Sequence, residues 1–174
     1  SVIDADHIAR VVVAKDSRGL AQLQQVLGLD ILTSSGELNR KVLGERLFGD
    51  KETKVQVEAI LHPLIREEVE KQKKALQSQG VKRAFYDIPL LFETQQQKQF
   101  DAVIVVYCPP KIQLERLITR DGISEIQAQQ KIQNQISIEI KRQQADYIID
   151  NSTTPDHLRV EVENMLKWLD QNLN

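Results

Sequence analysis

The sequence predicts an α/β domain built on a parallel sheet, and three observations predict it. Two apolar runs bounded by turn formers, RAFYDIP (83–89) and DAVIVVY (101–107), read as buried strands. A shorter run, YIID (147–150), repeats the pattern, and VID (2–4) reads as the tail of a fourth strand. Helical stretches separate these runs, which is the alternation expected of parallel strands covered on both faces. The length, 174 residues, suits one domain spanning 1–174.

In chain order, VID runs at once into two acids, Asp4 and Asp6. At the carboxyl end of a strand they would share a face and lie in the crevice where open α/β sheets bind ligands. Read alone, they serve equally as helix-capping acids before IARVVV. GERLFGDK has the glycine spacing of a phosphate-binding loop, but Asp50 stands where that loop needs lysine, and Leu47 with Phe48 reads as a core-facing helix end. No other glycine pair fits a nucleotide fingerprint.

HPLIREEVEKQKKALQSQG predicts a helix over 63–79, with Pro63 at its first position, acids early, lysines late and Gly80 as its stop. After the 83–89 strand, Leu90, Leu91 and Phe92 form an apolar patch with Glu93 at its polar end; core packing is the alternative for each. QQQKQ (95–99) is a solvated loop, and Cys108 before two prolines is a small buried residue. EIQAQQKIQNQISIEIKRQQ (125–144) is polar with sparse apolar positions, so its helices should project from the core. The last helix takes Thr154 as N-cap and sets Leu158, Val162, Met165, Leu166 and Leu169 toward a sheet.

Composition removes several classes. With 23 basic and 25 acidic residues the formal net charge is -2, so the chain has no nucleic-acid footprint overall. One cysteine and three scattered histidines build neither a disulfide nor a zinc site, and a reducing compartment fits best. No apolar run approaches the roughly 20 residues of a membrane span. The expectation is a soluble, cytoplasmic protein without membrane or nucleic-acid partners, as a monomer or small homo-oligomer.

VIDADHIAR, LNRKVLGERLFGD, ILHPLI, DIPLLFE, LERLITRDG and ADYIIDN, in this order along the chain, together resemble the dephospho-CoA kinase family. The resemblance implies a three-layer P-loop kinase-like fold with a helical lid over 116–145 and a helical acceptor side over 14–80. It also implies that the family's first, central strand and its glycine-rich phosphate loop are absent from this chain. The implied reaction is ATP-dependent phosphorylation of the ribose 3'-hydroxyl of dephospho-CoA, with Mg2+ as cofactor. Without its loop the chain is expected to be inactive.

By the same resemblance Asp6 is the catalytic base, and Asp4 supports Mg2+ or the acceptor. Arg116 and Arg120, four apart on one helical face, would bring guanidinium groups over ATP. Lys141 and Arg142 are adjacent candidates for one basic position: Lys141 fits the spacing, Arg142 the side-chain chemistry. Arg40, His62, Pro89, Leu90, Leu91, Phe92 and Glu93 are candidates for acceptor binding, and Asn151 for contact with the ATP adenine. A related nucleoside or nucleotide kinase, or a non-catalytic fragment that binds a CoA-like ligand or a protein, remains the alternative.

Overall fold

The chain begins with a three-residue strand, β1 (Val2–Asp4), whose last residue also caps the helix that follows, α1 (Ala5–Val11). The computed structural model describes residues 1–173. It divides into two compact units, Ser1–Pro89 and Leu90–Asn174.

In the first unit, α2 (Arg18–Leu27) and α3 (Arg40–Gly49) precede a long helix, α4 (Lys51–Ser78), and β2 (Phe85–Asp87). Ser17 caps α2 by accepting from the Leu20 amide at 3.2 Å, while its own hydroxyl donates to the Val12 carbonyl at 2.9 Å. That carbonyl also dictates Gly19, because a Cβ there would sit 2.1 Å from it. α1, α2 and α3 all pack on α4. Val13, Leu23, Ile31, Leu43 and Val57 form one core cluster, and Ile3, Ile8 and Val69 a second.

Two expectations change here. The helix predicted over 63–79 runs from Lys51 with Pro63 inside it. Asp50 supplies the true N-cap, accepting from the Glu52 amide at 2.8 Å and the Thr53 hydroxyl at 2.6 Å. An internal proline costs about 3 kcal/mol; the apolar positions on either side of it, Val57, Ile60, Leu61 and Leu64, all turn inward and offset that cost. Phe48 is 98% exposed instead of facing the core. Leu43 and Leu47 are four apart and share the buried side of α3, which turns the next residue about 100° away from it. Gly44 and Gly49 are both helical, so the GERLFGDK stretch forms no phosphate cradle.

β1 and β2 are parallel, with Val2 opposite Phe85, Ile3 opposite Tyr86 and Asp4 opposite Asp87. Ile3 and Tyr86 face the second core cluster; on the other face Val2 stays 69% exposed.

In the second unit β3 (Ile104–Tyr107) and β4 (Tyr147–Asp150) are parallel, running from Ile104 opposite Tyr147 to Tyr107 opposite Asp150. Asp146 fixes this register: its carboxylate accepts from the Val103 amide at 2.7 Å and its own amide donates to the Val103 carbonyl at 2.9 Å. Between the strands lie α5 (Pro110–Asp121), α6 (Glu125–Gln133) and α7 (Ile138–Gln143); α8 (Pro155–Asn172) follows. Pro110 opens α5, and Gly122, left-handed at φ 62°, closes it.

Here one face of the strands is covered and the other only in part, since Val106 of β3 stays 55% exposed. Phe92, Val103 and Val105 pack with Ile136 and Ile138 on one side, and α8 packs on β4 with the Tyr147 ring 5.3 Å from Trp168. Thr154 caps α8 as predicted. Its inward stripe is narrower than expected, because Met165 and Leu169 are buried while Val162 and Leu166 are 36% and 40% exposed. The polar 125–144 stretch also packs more deeply than its composition suggests: Ala128 is fully buried, and Lys141 is the buried charged residue among those described. No helix among the described residues is long and apolar enough to cross a membrane.

Candidate active site

Each unit carries its own candidate residues, some at the carboxyl ends of its strands and others on its helices. In the first, Asp4 is the last residue of β1 and stands opposite Asp87, the last of β2. Its Oδ1 accepts from the His7 amide at 2.9 Å, so Asp4 is both strand tip and N-cap. Asp6 is not on the strand, as a shared face with Asp4 would require. It lies exposed in the first turn of α1, where the unpaired amides favour a negative charge.

Arg40 is the exposed first residue of α3, behind its Asn39 cap. His62 is exposed in the middle of α4, not at a helix start, because the helix begins eleven positions earlier, at Lys51. Pro89 is exposed in the turn after β2. The groove between α2 and α4, lined by Arg18, Gln22, Val26, Ile60, Pro63 and Leu64, contains none of the candidates.

In the second unit Leu90 is 46% exposed and Phe92 only 6%, with Leu91 packed beside it, so the predicted apolar patch divides into a surface residue and a core. Glu93 is drawn inward. Its Oε1 accepts from the Lys141 ammonium at 2.8 Å and from the Ile136 amide at 2.9 Å, and Lys141 also donates to the Gln135 side chain at 3.3 Å. Burial pushes the Glu93 carboxyl up, but the bonds from Lys141, its own amide and the Ile136 amide prevail and hold it below the usual glutamate value.

The adjacent Arg142 is different in kind. Its guanidinium lies 4.6 Å from the centre of the Tyr107 ring, at the carboxyl end of β3, with the side chain 48% exposed. Tyr107 donates to Glu139 at 2.7 Å, and Glu139 lies 3.8 Å from Arg142. Arg116, on α5, donates to the Asn151 carbonyl at 2.5 Å, while the Asn151 amide donates to the Tyr107 carbonyl at 2.7 Å. Arg116, Asn151, Tyr107 and Arg142 thus form one linked group at the ends of β3 and β4. Arg120, one turn beyond Arg116, donates to Asp121 at 2.8 Å, and Lys131 reaches the same carboxylate at 2.8 Å. These two cations hold the Asp121 carboxyl at about 2.

Sequence reasoning passed over Asp87, Tyr107 and Glu139. Asp87 lies within DIPLLFE, and its place at a strand end is the available signal; Tyr107 and Glu139 become partners only through folding.

Two pairs of parallel strands, each with helices packed against it, and a helical segment between β3 and β4 are the elements of a P-loop kinase-like α/β protein. A Thermus thermophilus protein of known crystal structure shares this fold, with a TM-score of 0.78 at 24% identity over 97% of this chain and 84% of that one. The dephospho-CoA kinase family model matches residues 1–156, and the chain belongs to that family. It is 46% identical over 173 residues to a dephospho-CoA kinase of Bdellovibrio bacteriovorus, covering 99% of this chain and 86% of the relative. A Staphylococcus aureus dephospho-CoA kinase is 38% identical over 166 residues, 95% of this chain and 80% of its own. The solved dephospho-CoA kinase of Campylobacter jejuni gives a TM-score of 0.70 at 31% identity, covering 98% of this chain and 85% of its own.

Proposed function

We propose that these residues belong to an enzyme that transfers the γ-phosphoryl group of ATP to the ribose 3'-hydroxyl of dephospho-CoA, giving coenzyme A and ADP. The near end-to-end match to the Bdellovibrio dephospho-CoA kinase carries this reading. Phosphoryl transfer asks a protein for positioning, charge neutralisation and a group to take the nucleophile's proton. Asp6 takes that proton, because it is an exposed carboxylate just past a strand tip. The 3'-oxygen then attacks the γ-phosphorus, the bond to the β–γ bridging oxygen breaks, and ADP leaves with the electron pair.

Arg116, Arg120 and Arg142 neutralise phosphate oxygens, their planar forks matching the geometry of those groups. Asn151 lies beside them for the adenine, and Arg40, His62, Pro89 and Leu90 serve the acceptor. Mg2+ is commonly held by one or two carboxylates and the substrate's own phosphates, not by a full protein cage. The opposed Asp4 and Asp87 fit that demand, and no group of three or more metal-binding side chains occurs among the described residues. When bound, Mg2+ neutralises charge on the ATP phosphates.

Residues 1–174 contain no G-x-x-x-x-G-K-[ST] loop. Turnover by these residues alone is therefore below detection, while acceptor binding persists. Calorimetric titration of the 174-residue chain with dephospho-CoA, beside a kinase assay of the chain with and without an added strand and phosphate loop, tests both statements. Saturable binding and loop-dependent formation of coenzyme A are expected. Absence of both would overturn the reading.

A further inference from the structure

Glu93 and Lys141 are 48 positions apart in the chain and form the most enclosed ion pair among those described, with side chains 18% and 10% exposed. Such a pair is a weak source of stability, since desolvating two charges costs about as much as their attraction returns. Its placement is more informative. Glu93 lies in the turn that carries Leu91 and Phe92, and its Oε1 also holds the amide of Ile136, in the short connection between α6 and α7. Lys141, on α7, reaches back to Gln135 in the same connection and lies 6.0 Å from the centre of the Phe92 ring. Glu93 Oε2 is buried with no hydrogen-bond partner among the described residues, so the carboxylate depends on Lys141 for its counter-charge.

We propose that Glu93 and Lys141 are a latch, holding the α6–α7 connection to the Leu91–Phe92 turn, and so act as positioning residues that never touch substrate. On this assignment Lys141 and Arg142 have different tasks. Lys141 is committed to Glu93 and fixes the base of the helical segment, which leaves Arg142, half-exposed at the end of β3, as the cation available to phosphate. It rests on the kinase reading only where it speaks of substrate; the latch itself is a property of the fold.

Amide hydrogen exchange on the 174-residue chain tests the latch without requiring turnover. Glu93→Gln keeps an oxygen for the Ile136 amide and loses the charge; Lys141→Met keeps the stem and loses the ammonium. In both, exchange at Ile136 should quicken about ten- to a hundred-fold, the equivalent of one charge-assisted hydrogen bond, with Val105 and Ile149 in β3 and β4 unchanged. If either single variant unfolds, the double Glu93→Leu, Lys141→Met variant removes both charges together and should melt near the unaltered protein while Ile136 still exchanges fast. Unchanged exchange at Ile136, or an equal rise throughout β3 and β4, would overturn the latch. In a version bearing a phosphate loop, Lys141→Met should lower kcat with little change in either KM, whereas Arg142→Ala should raise the KM for ATP. A raised KM for dephospho-CoA in Lys141→Met would place that lysine on the substrate and end its positioning role. Failure of the kinase reading would appear separately, as no turnover in any variant with the exchange pattern intact.

Discussion

The two strand pairs differ in what gathers at their carboxyl ends. β1 and β2 finish on opposed acids, Asp4 and Asp87, with Asp6 in the first turn of the next helix. β3 and β4 finish on a group organised by guanidinium, with Arg142 against Tyr107 and Arg116 on the Asn151 carbonyl. In the parallel architecture both ends are carboxyl ends, where ligands bind. The difference teaches how the proposed reaction would be divided: carboxylates to take the hydroxyl's proton, guanidinium groups to meet phosphate charge.

The largest expected effect breaks the acidic side. In a version that carries a phosphate loop, Asp6→Asn should lower kcat about a hundred- to ten-thousand-fold, the usual worth of a positioned base, and leave ATP binding near normal. The change is nearly isosteric, and the charge at this helix start contributes only about 0.3–1 kcal/mol, so the fold survives it. Turnover within a few-fold of the unaltered enzyme would remove Asp6 from the base role. On the basic side, Arg120→Ala should raise the KM for ATP about ten- to a hundred-fold, the value of a charged hydrogen bond. Arg120→Lys should restore little, since an ammonium cannot make the planar two-point contact. Steady-state kinetics with each substrate varied in turn reads both effects, and full rescue by lysine would reduce Arg120 to a point charge.

The two sides were not equally legible in the sequence. YIID and VID became β4 and β1 with their predicted bounds, because short apolar runs between turn formers have few other uses. The start of α4 was misread because Pro63 is a strong local signal for a helix start, whereas the burial of Val57 that carries the helix through it is tertiary. Asp4 was legible as an acid at a strand end, and its capping role was among the readings the sequence offered. The basic side was less accessible: no spacing rule reveals that Lys141 turns inward to Glu93 while its neighbour stacks on Tyr107. Adjacent helical residues point about 100° apart, so the choice between them is made by what packs against α7.

A smaller effect separates close packing from open surface within the first unit. Gly19→Ala places a methyl group against the Val12 carbonyl and should cost about 1–3 kcal/mol, as overpacking does. Gly44, also helical, has nothing within 4 Å of its would-be Cβ, and Gly44→Ala should gain about 0.4–1 kcal/mol by restricting the unfolded chain. Denaturant titration followed by circular dichroism should show midpoints moving in opposite directions. A shift of the same sign in both would mean that backbone propensity, not the Val12 contact, governs the α2 start.

The smallest effect compares two acid–base contacts inside the second unit. Asp121, held at about 2 by Arg120 and Lys131 against an ordinary 3.8, binds a proton more readily unfolded than folded. Its contribution is therefore fully present above pH 3.8 and is lost as pH falls toward 2. Glu93 is also depressed, so its contribution has the same sign and fades as pH drops below the usual glutamate value of 4.5. Solvent distinguishes the two. Salt screens the Asp121 group at the surface and reaches the enclosed Glu93–Lys141 pair far less. Thermal melts from pH 5 to pH 2 at low and at 1 M salt should show a slight acid loss in Asp121→Asn that salt does not alter further, against a salt-sensitive increment in the unaltered chain. In Glu93→Gln the acid loss itself should shrink at both salt levels, because the group that titrates has been removed from a place that ions do not enter.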